Sequence, residues 1–137
     1  MYLMKVRLLD VDNKIDRLKN FIINSNTPIY VDKNIFDKYI FEKNSTFINA
    51  NCMDNELFGT DSKPNWLVKL EEQKDEDISI LEINFDNTSI EEQKRFISII
   101  KDRAFMSYKI PDNVKIVIYS SSMDKIDNEL MGLLVVI

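Results

Sequence analysis

Apolar and polar positions along this chain switch repeatedly between a helical period and continuous strand-like runs. Ile15, Leu18, Phe21 and Ile22 recur at spacings of three and four, which predicts an amphipathic helix over 13–24 with Asp12 as its N-cap. The run before it, 3–9, reads either as a short strand or as the lead-in to that helix. After the break at 25–28, Ile29-Tyr30-Val31 reads as a strand. Asp32 is placed to cap a helix over 33–43, with Ile35, Tyr39 and Ile40 on its apolar face. A second strand is expected over 46–50. A polar loop with one helical turn follows over 51–64, then a helix over 65–73 carrying Trp66, Leu67 and Leu70.

The third strand, 78–85, has little polar alternation apart from Glu82 and Asn84, as a central parallel strand does. Thr88 and Ser89 each have a glutamate three residues on, Glu91 and Glu92, a capping-box signature that opens a helix running to about 104. The run 114–119 is a continuous apolar strand, 124–131 a short helix, and 133–137 a last strand. As an inner strand that last segment would be buried; as an edge strand it would offer itself for pairing with another chain. The inner placement is the one expected. Strands alternating with helices predict an α/β fold, a parallel sheet covered by helices on both faces.

Composition narrows the chemistry. The chain has 137 residues, one domain's worth, with 45% hydrophobic and 30% charged residues. Its formal charge of −5 argues against nucleic acid as a partner, although Lys109 and Lys115 flank one turn. There is no histidine, which excludes histidine-dependent triads and histidine-ligated zinc. One cysteine, Cys52, allows no internal disulfide and is expected to be a buried, inert thiol in a cytoplasmic protein. No signal peptide or membrane-spanning run is expected. Only two glycines are present, Gly59 and Gly132, too far apart to build a phosphate-cradling loop.

The segment 78–121 resembles the core of AAA+ ATPases of the MoxR-like branch. The resemblance rests on a buried strand, an acidic turn, a helix ending in Lys101-Asp102-Arg103, the turn Tyr108-Lys109-Ile110-Pro111-Asp112-Asn113, and a second buried strand. Weaker similarity extends outward over 28–137. Ile29-Tyr30-Val31 falls at the family's first strand and Thr46–Asn51 at its second. Glu56-Leu57-Phe58-Gly59 and Pro64-Asn65-Trp66-Leu67 resemble two further segments. The resemblance implies a three-layer α/β sandwich over 1–137, with a mainly parallel five-stranded sheet in the order 5-1-4-3-2.

The same resemblance implies that the ATP chemistry is gone. The phosphate loop is missing after the first strand, where Asp32-Lys33-Asn34 leads straight into a helix. Ile83 and Asn84 stand where the family's acidic pair would hold magnesium and polarise water; isoleucine cannot ligate, and asparagine cannot accept a proton. Glu82 would face the opposite side of the strand. Ser121 falls at the family's polar sensor. No arginine follows Arg103, so the arginine finger is absent, and the chain stops before any helical lid.

The expected function is therefore a catalytically inactive ATPase-like domain that binds a protein partner or a second copy, with no cofactor, nucleic acid, membrane or metal. The alternative is a small-ligand or nucleotide binder using the crevice at the carboxyl ends of the strands, with Lys33, Asn84 and Ser121 as candidate binding residues. Glu82 is a further candidate for that crevice. Glu82 and Asp86 read either as paired active-site carboxylates or, preferably, as an inward residue and a turn acid; Ser120, Ser121 and Ser122 either as a ligand-binding strand end or, preferably, as a turn; and Trp66 either as an interface anchor or, preferably, as core.

Overall fold

The computed structural model describes residues 2–38 and 45–137, with side chains from Asn13 onward. Helix α1 (Tyr2–Asn24) is continuous, so 3–9 is helical lead-in and Asp12 lies inside the helix rather than at its start. Strand β1 (Ile29–Asp32) runs directly into α2 (Lys33–Lys38), and the Asp32 carboxylate caps that helix by accepting the Asn34 N–H at 2.8 Å. Tyr39, Ile40 and the rest of the helix expected to 43 lie outside the described residues.

Next come β2 (Ser45–Asn49), α3 (Asp54–Phe58), α4 (Asn65–Glu72) and β3 (Ser79–Asn84). The expected capping box forms at Ser89: its hydroxyl accepts the Glu92 N–H at 3.1 Å, and the Glu92 carboxylate accepts the Ser89 N–H at 2.9 Å. Thr88, the other candidate, instead donates its hydroxyl to the Phe85 carbonyl at 2.6 Å.

The helix expected to run to about 104 is two helices, α5 (Ile90–Lys94) and α6 (Ile97–Asp102). Arg95 sits at the break. Its Nε donates to the Glu92 carbonyl, and the Phe96 N–H turns to the Gln93 carbonyl one step earlier than α-helical pairing requires. The rest of the guanidinium reaches across to the Ala50 carbonyl at 2.7 Å and the Asp54 carboxylate at 3.0 Å.

A hairpin follows that the sequence reading did not foresee: β4 (Ala104–Phe105) and β5 (Tyr108–Lys109) pair antiparallel. It depends on two non-glycine residues with left-handed backbones, Arg103 at φ 51° and Met106 at φ 56°. Then come β6 (Val114–Ser120), a single 3₁₀ turn (Met123–Lys125), α7 (Asn128–Met131) and β7 (Val135–Val136).

Five strands form one parallel sheet in the order β2-β3-β6-β1-β7. As numbered, this does not match the expected 5-1-4-3-2: the hairpin takes the fourth and fifth places in the count and lies outside the sheet. Helices cover both faces. On one face Leu57, Leu67, Leu70, Phe96, Ile99 and Leu130 pack on Leu81, Ile83, Ile116 and Ile118. On the other, Leu18, Ile22 and Ile35 pack on Ile29, Val31, Val117 and Tyr119. Each such aliphatic or aromatic side chain contributes about 1.5–3 kcal/mol by leaving water. Trp66 is core, as expected, and donates its indole N–H to the Leu57 carbonyl at 2.9 Å.

The last strand corrects an expectation. Among the described residues β7 is an edge strand, hydrogen-bonded only to β1, with Val136 exposed and Ile137 buried. It is two residues long, and the Val135 and Ile137 N–H groups donate to the Pro28 and Tyr30 carbonyls.

Candidate functional site

The parallel sheet sends the ends of β1, β3 and β6 to one edge of the molecule, and the candidate residues meet there. Asp86, two residues past β3, is the centre. One carboxylate oxygen accepts the Ser121 N–H and the other accepts the Ser121 hydroxyl, each at 2.8 Å. Lys33, the first residue of α2, places Nζ 3.8 Å from the same carboxylate. Asn84 joins through the backbone, its side-chain oxygen accepting the Asp86 N–H at 2.9 Å while its amide donates to Asn49 at 3.4 Å. The three candidates Lys33, Asn84 and Ser121 are thus brought together, through an aspartate read from the sequence as a turn acid.

Partial burial works to raise the Asp86 pKa. The two Ser121 bonds and the charges of Lys33 and Lys125 outweigh it, so the carboxyl is held below its ordinary range. Beside it lies a cleft of 310 Å³ lined by Asp86, Thr88, Ser120, Ser121, Ser122 and Lys125. Its floor is tied down by a buried hydroxyl pair: Tyr30 Oη and Ser120 Oγ are 2.6 Å apart, and Ser120 Oγ donates to the Ser122 carbonyl at 3.0 Å. Its helical wall is fixed by Gln93, a fully buried amide. Gln93 donates to Thr88 Oγ1 and the Lys125 carbonyl and accepts the Asp127 N–H, at 3.0, 2.9 and 2.7 Å. Such a buried polar group is tolerated because every bond is made.

Glu82 is not part of this cluster. Its carboxylate accepts the Ser45 hydroxyl on β2. Burial pushes its pKa up, against the Ser45 bond and the charge of Lys69. Tyr119, stacked on Phe36 with ring centroids 3.9 Å apart, is pushed up to about 12 by burial and then by the charges of Glu82, Asp37 and Asp86. It carries no proton traffic near neutrality. Cys52 is only partly buried, yet burial still raises its thiol pKa, so it is no activated nucleophile.

Among the described residues no group of histidine, cysteine or acidic side chains has the arrangement of a metal site. No described helix is long and apolar enough to cross a membrane. What the crevice presents is a set of hydroxyls and two lysines around one ionised carboxylate.

Sequence reasoning set Asp86 aside as a turn acid and missed Gln93. The signal for Asp86 was available: an acid just past a central strand lies on the carboxyl edge of a parallel sheet, where such folds bind ligands. Nothing local marked Gln93, two of whose three partners, Lys125 and Asp127, lie more than 30 residues along the chain. The fold and site define an α/β protein with a parallel sheet and a polar carboxyl-edge crevice. No protein-family model matches the chain, and no curated protein matches it in sequence.

Proposed function

We propose that the chain is an AAA+-like core that has lost its nucleotide chemistry and acts by binding protein. The observation that carries this reading is the Lys33–Asp86 pair. The one lysine at the start of α2 faces the protein's own carboxylate at 3.8 Å, and that carboxylate is held ionised. A phosphate brought to Lys33 would meet that negative charge. No loop lies between β1 and α2 whose N–H groups would surround it.

The order of the strands supports the same reading. Counted without the two hairpin strands, the sheet runs 5-1-4-3-2 from the β7 edge, the order the resemblance implies. The fate of the expected acidic pair also supports it. Ile83 is fully buried in the core, and Asn84 is committed to Asn49 and to the Asp86 N–H. With the chemistry lost and the framework kept, the surfaces remain as the working part.

The 310 Å³ cleft favours a second reading, a small polar ligand held by Thr88, the three serines and Lys125. One experiment separates the two: a thermal melt with and without millimolar Mg-ATP and Mg-ADP. A ligand at 100 times its Kd adds about 2.7 kcal/mol, which for a chain of this size raises the midpoint by about 8–15 °C. An unchanged midpoint is expected. A shift of that size, abolished by Lys33→Ala or Ser121→Ala, would replace the first reading by the second.

A further inference from the structure

The backbone of β2 shows where a partner would dock. The Ala50 N–H donates to the Asn84 carbonyl on β3. Alternation along a strand then turns the main-chain groups of Thr46, Ile48 and Ala50 toward β3, and those of Ser45, Phe47 and Asn49 toward the outer edge. β2 is the end strand of the sheet, so that outer edge has no neighbouring strand among the described residues.

The protein closes this edge at both ends but not in the middle. The Ser45 carbonyl accepts Lys69 Nζ at 2.8 Å. The Asn49 carbonyl accepts the Cys52 N–H at 3.0 Å. Among the described residues neither the N–H nor the carbonyl of Phe47 has a partner from outside β2, and its side chain is 51% exposed. An antiparallel segment laid along β2 with one residue opposite Phe47 would exchange both hydrogen bonds with it.

The space for such a segment exists. A cavity of 490 Å³ touches Phe47, Ile48 and Asn49 in succession and is closed by Cys52, Glu56 and Trp66 among others. Successive residues of a strand point to opposite faces, so a cavity touching three in a row lies at the strand's edge. Its apolar lining includes the buried Trp66, and exposed Met53 lies close by in the chain. Two charged residues line it. Lys63 is already held by Glu71 at 2.9 Å and sits 4.7 Å over the Tyr108 ring, whereas Glu56 makes no ion pair among the described residues.

We infer that the β2 edge binds a short extended segment of another protein, paired with Phe47 through the main chain, carrying an apolar side chain for the Trp66 cavity and a basic one for Glu56. This rests on the protein-binding reading and names its surface. Strand addition of this kind takes affinity from main-chain bonds and specificity from pockets for alternate side chains. The strand itself, Ser-Thr-Phe-Ile-Asn, carries no charge or proline to repel such a guest.

The test begins with amide exchange in the free protein. The Phe47 N–H is expected to exchange fast, with those of Thr46 and Ile48 protected; a protected Phe47 N–H would overturn the geometry. A displayed library of random twelve-residue peptides is then selected on the whole chain. Winners are expected to alternate apolar and basic residues and to protect the Phe47 amide on binding. They should weaken at least tenfold on Glu56→Lys, and also on N-methylation of the peptide residue opposite Phe47, a change that leaves the protein's own fold untouched.

Four results would overturn the proposal. They are an empty selection, winners that perturb the Asp86 cleft or the β7 edge instead, binding indifferent to N-methylation, and a concentration-dependent dimer that protects Phe47, which would make the occupant a second copy. Binding at another surface would leave the protein-binding reading standing. A nucleotide-induced rise in the melt would sink that reading without touching the exchange result.

Discussion

Asp86 accepts two hydrogen bonds from a single residue, the main-chain N–H and the side-chain hydroxyl of Ser121, both at 2.8 Å. The pair links the end of β3 to the end of β6 across the mouth of the crevice. Because the folded state depresses the Asp86 pKa, the stabilisation is present above the unfolded value, about 3.9, and is lost as pH falls through the folded value. Asp86→Ala is expected to cost about 1 kcal/mol at neutral pH, a modest figure because the site is partly open to solvent. Urea unfolding at a series of pH values checks it: the gap between variant and parent should close in acid.

Glu82 should behave in the opposite sense. Its pKa is raised by burial, so its contribution is fully present below the unfolded value and is lost as pH rises through the folded one. Glu82→Gln keeps an acceptor for the Ser45 hydroxyl and removes the charge. The variant is expected to be more stable than the parent at pH 7, by less than about 1 kcal/mol, and equal to it near pH 3. A parent that wins at neutral pH would show that Lys69 outweighs burial.

The two glycines should respond differently to alanine. Gly59 has φ +79°, and an added Cβ would stand 2.2 Å from the Ser62 carbonyl oxygen. Gly132 sits at φ −64° with its nearest contact at 3.4 Å. Gly59→Ala is expected to cost more than about 2 kcal/mol. Gly132→Ala should be neutral or stabilise by about 0.4–1 kcal/mol. Parallel thermal melts decide it.

Arg103 holds the hairpin by two means. Its backbone is left-handed, and its Nη2 donates to the Pro111 and Val114 carbonyls at 2.8 and 2.9 Å. Arg103→Ala loses the bonds and keeps the strain, at an expected cost of about 2–3 kcal/mol. Arg103→Gly loses the same bonds but relieves about 1 kcal/mol of strain, so it should fall between alanine and the parent. If glycine and alanine destabilise equally, the left-handed backbone contributes nothing.

The strands were readable because a parallel sheet buried on both faces leaves continuous apolar runs, such as Val114–Ser120. Helix starts were readable where a local cap marks them, as at Ser89. The helix break and the hairpin were not, because each depends on a side chain acting at a distance. Arg95 reaches Ala50, and Phe105 is locked between Trp66 and Phe58 with centroids 5.2 Å from each. The site followed the same rule. Lys33, Asn84 and Ser121 were found as separate positions, but Asp86, which joins them, has its partner 35 residues away.

The position of β1 bears on how the chain reaches this state. Among the described residues β1 pairs with β6 and β7 alone, so Tyr30 finds Ser120 across 90 residues of sequence. Until β6 exists, β1 is an apolar segment with both edges open. Closing so long a loop takes its entropy cost before any pairing repays it. The search is therefore expected to be slow for a chain of this length, with the joining of β1 to β6 as the late, rate-limiting event and exposed Ile29-Tyr30-Val31 the segment most in need of protection before it.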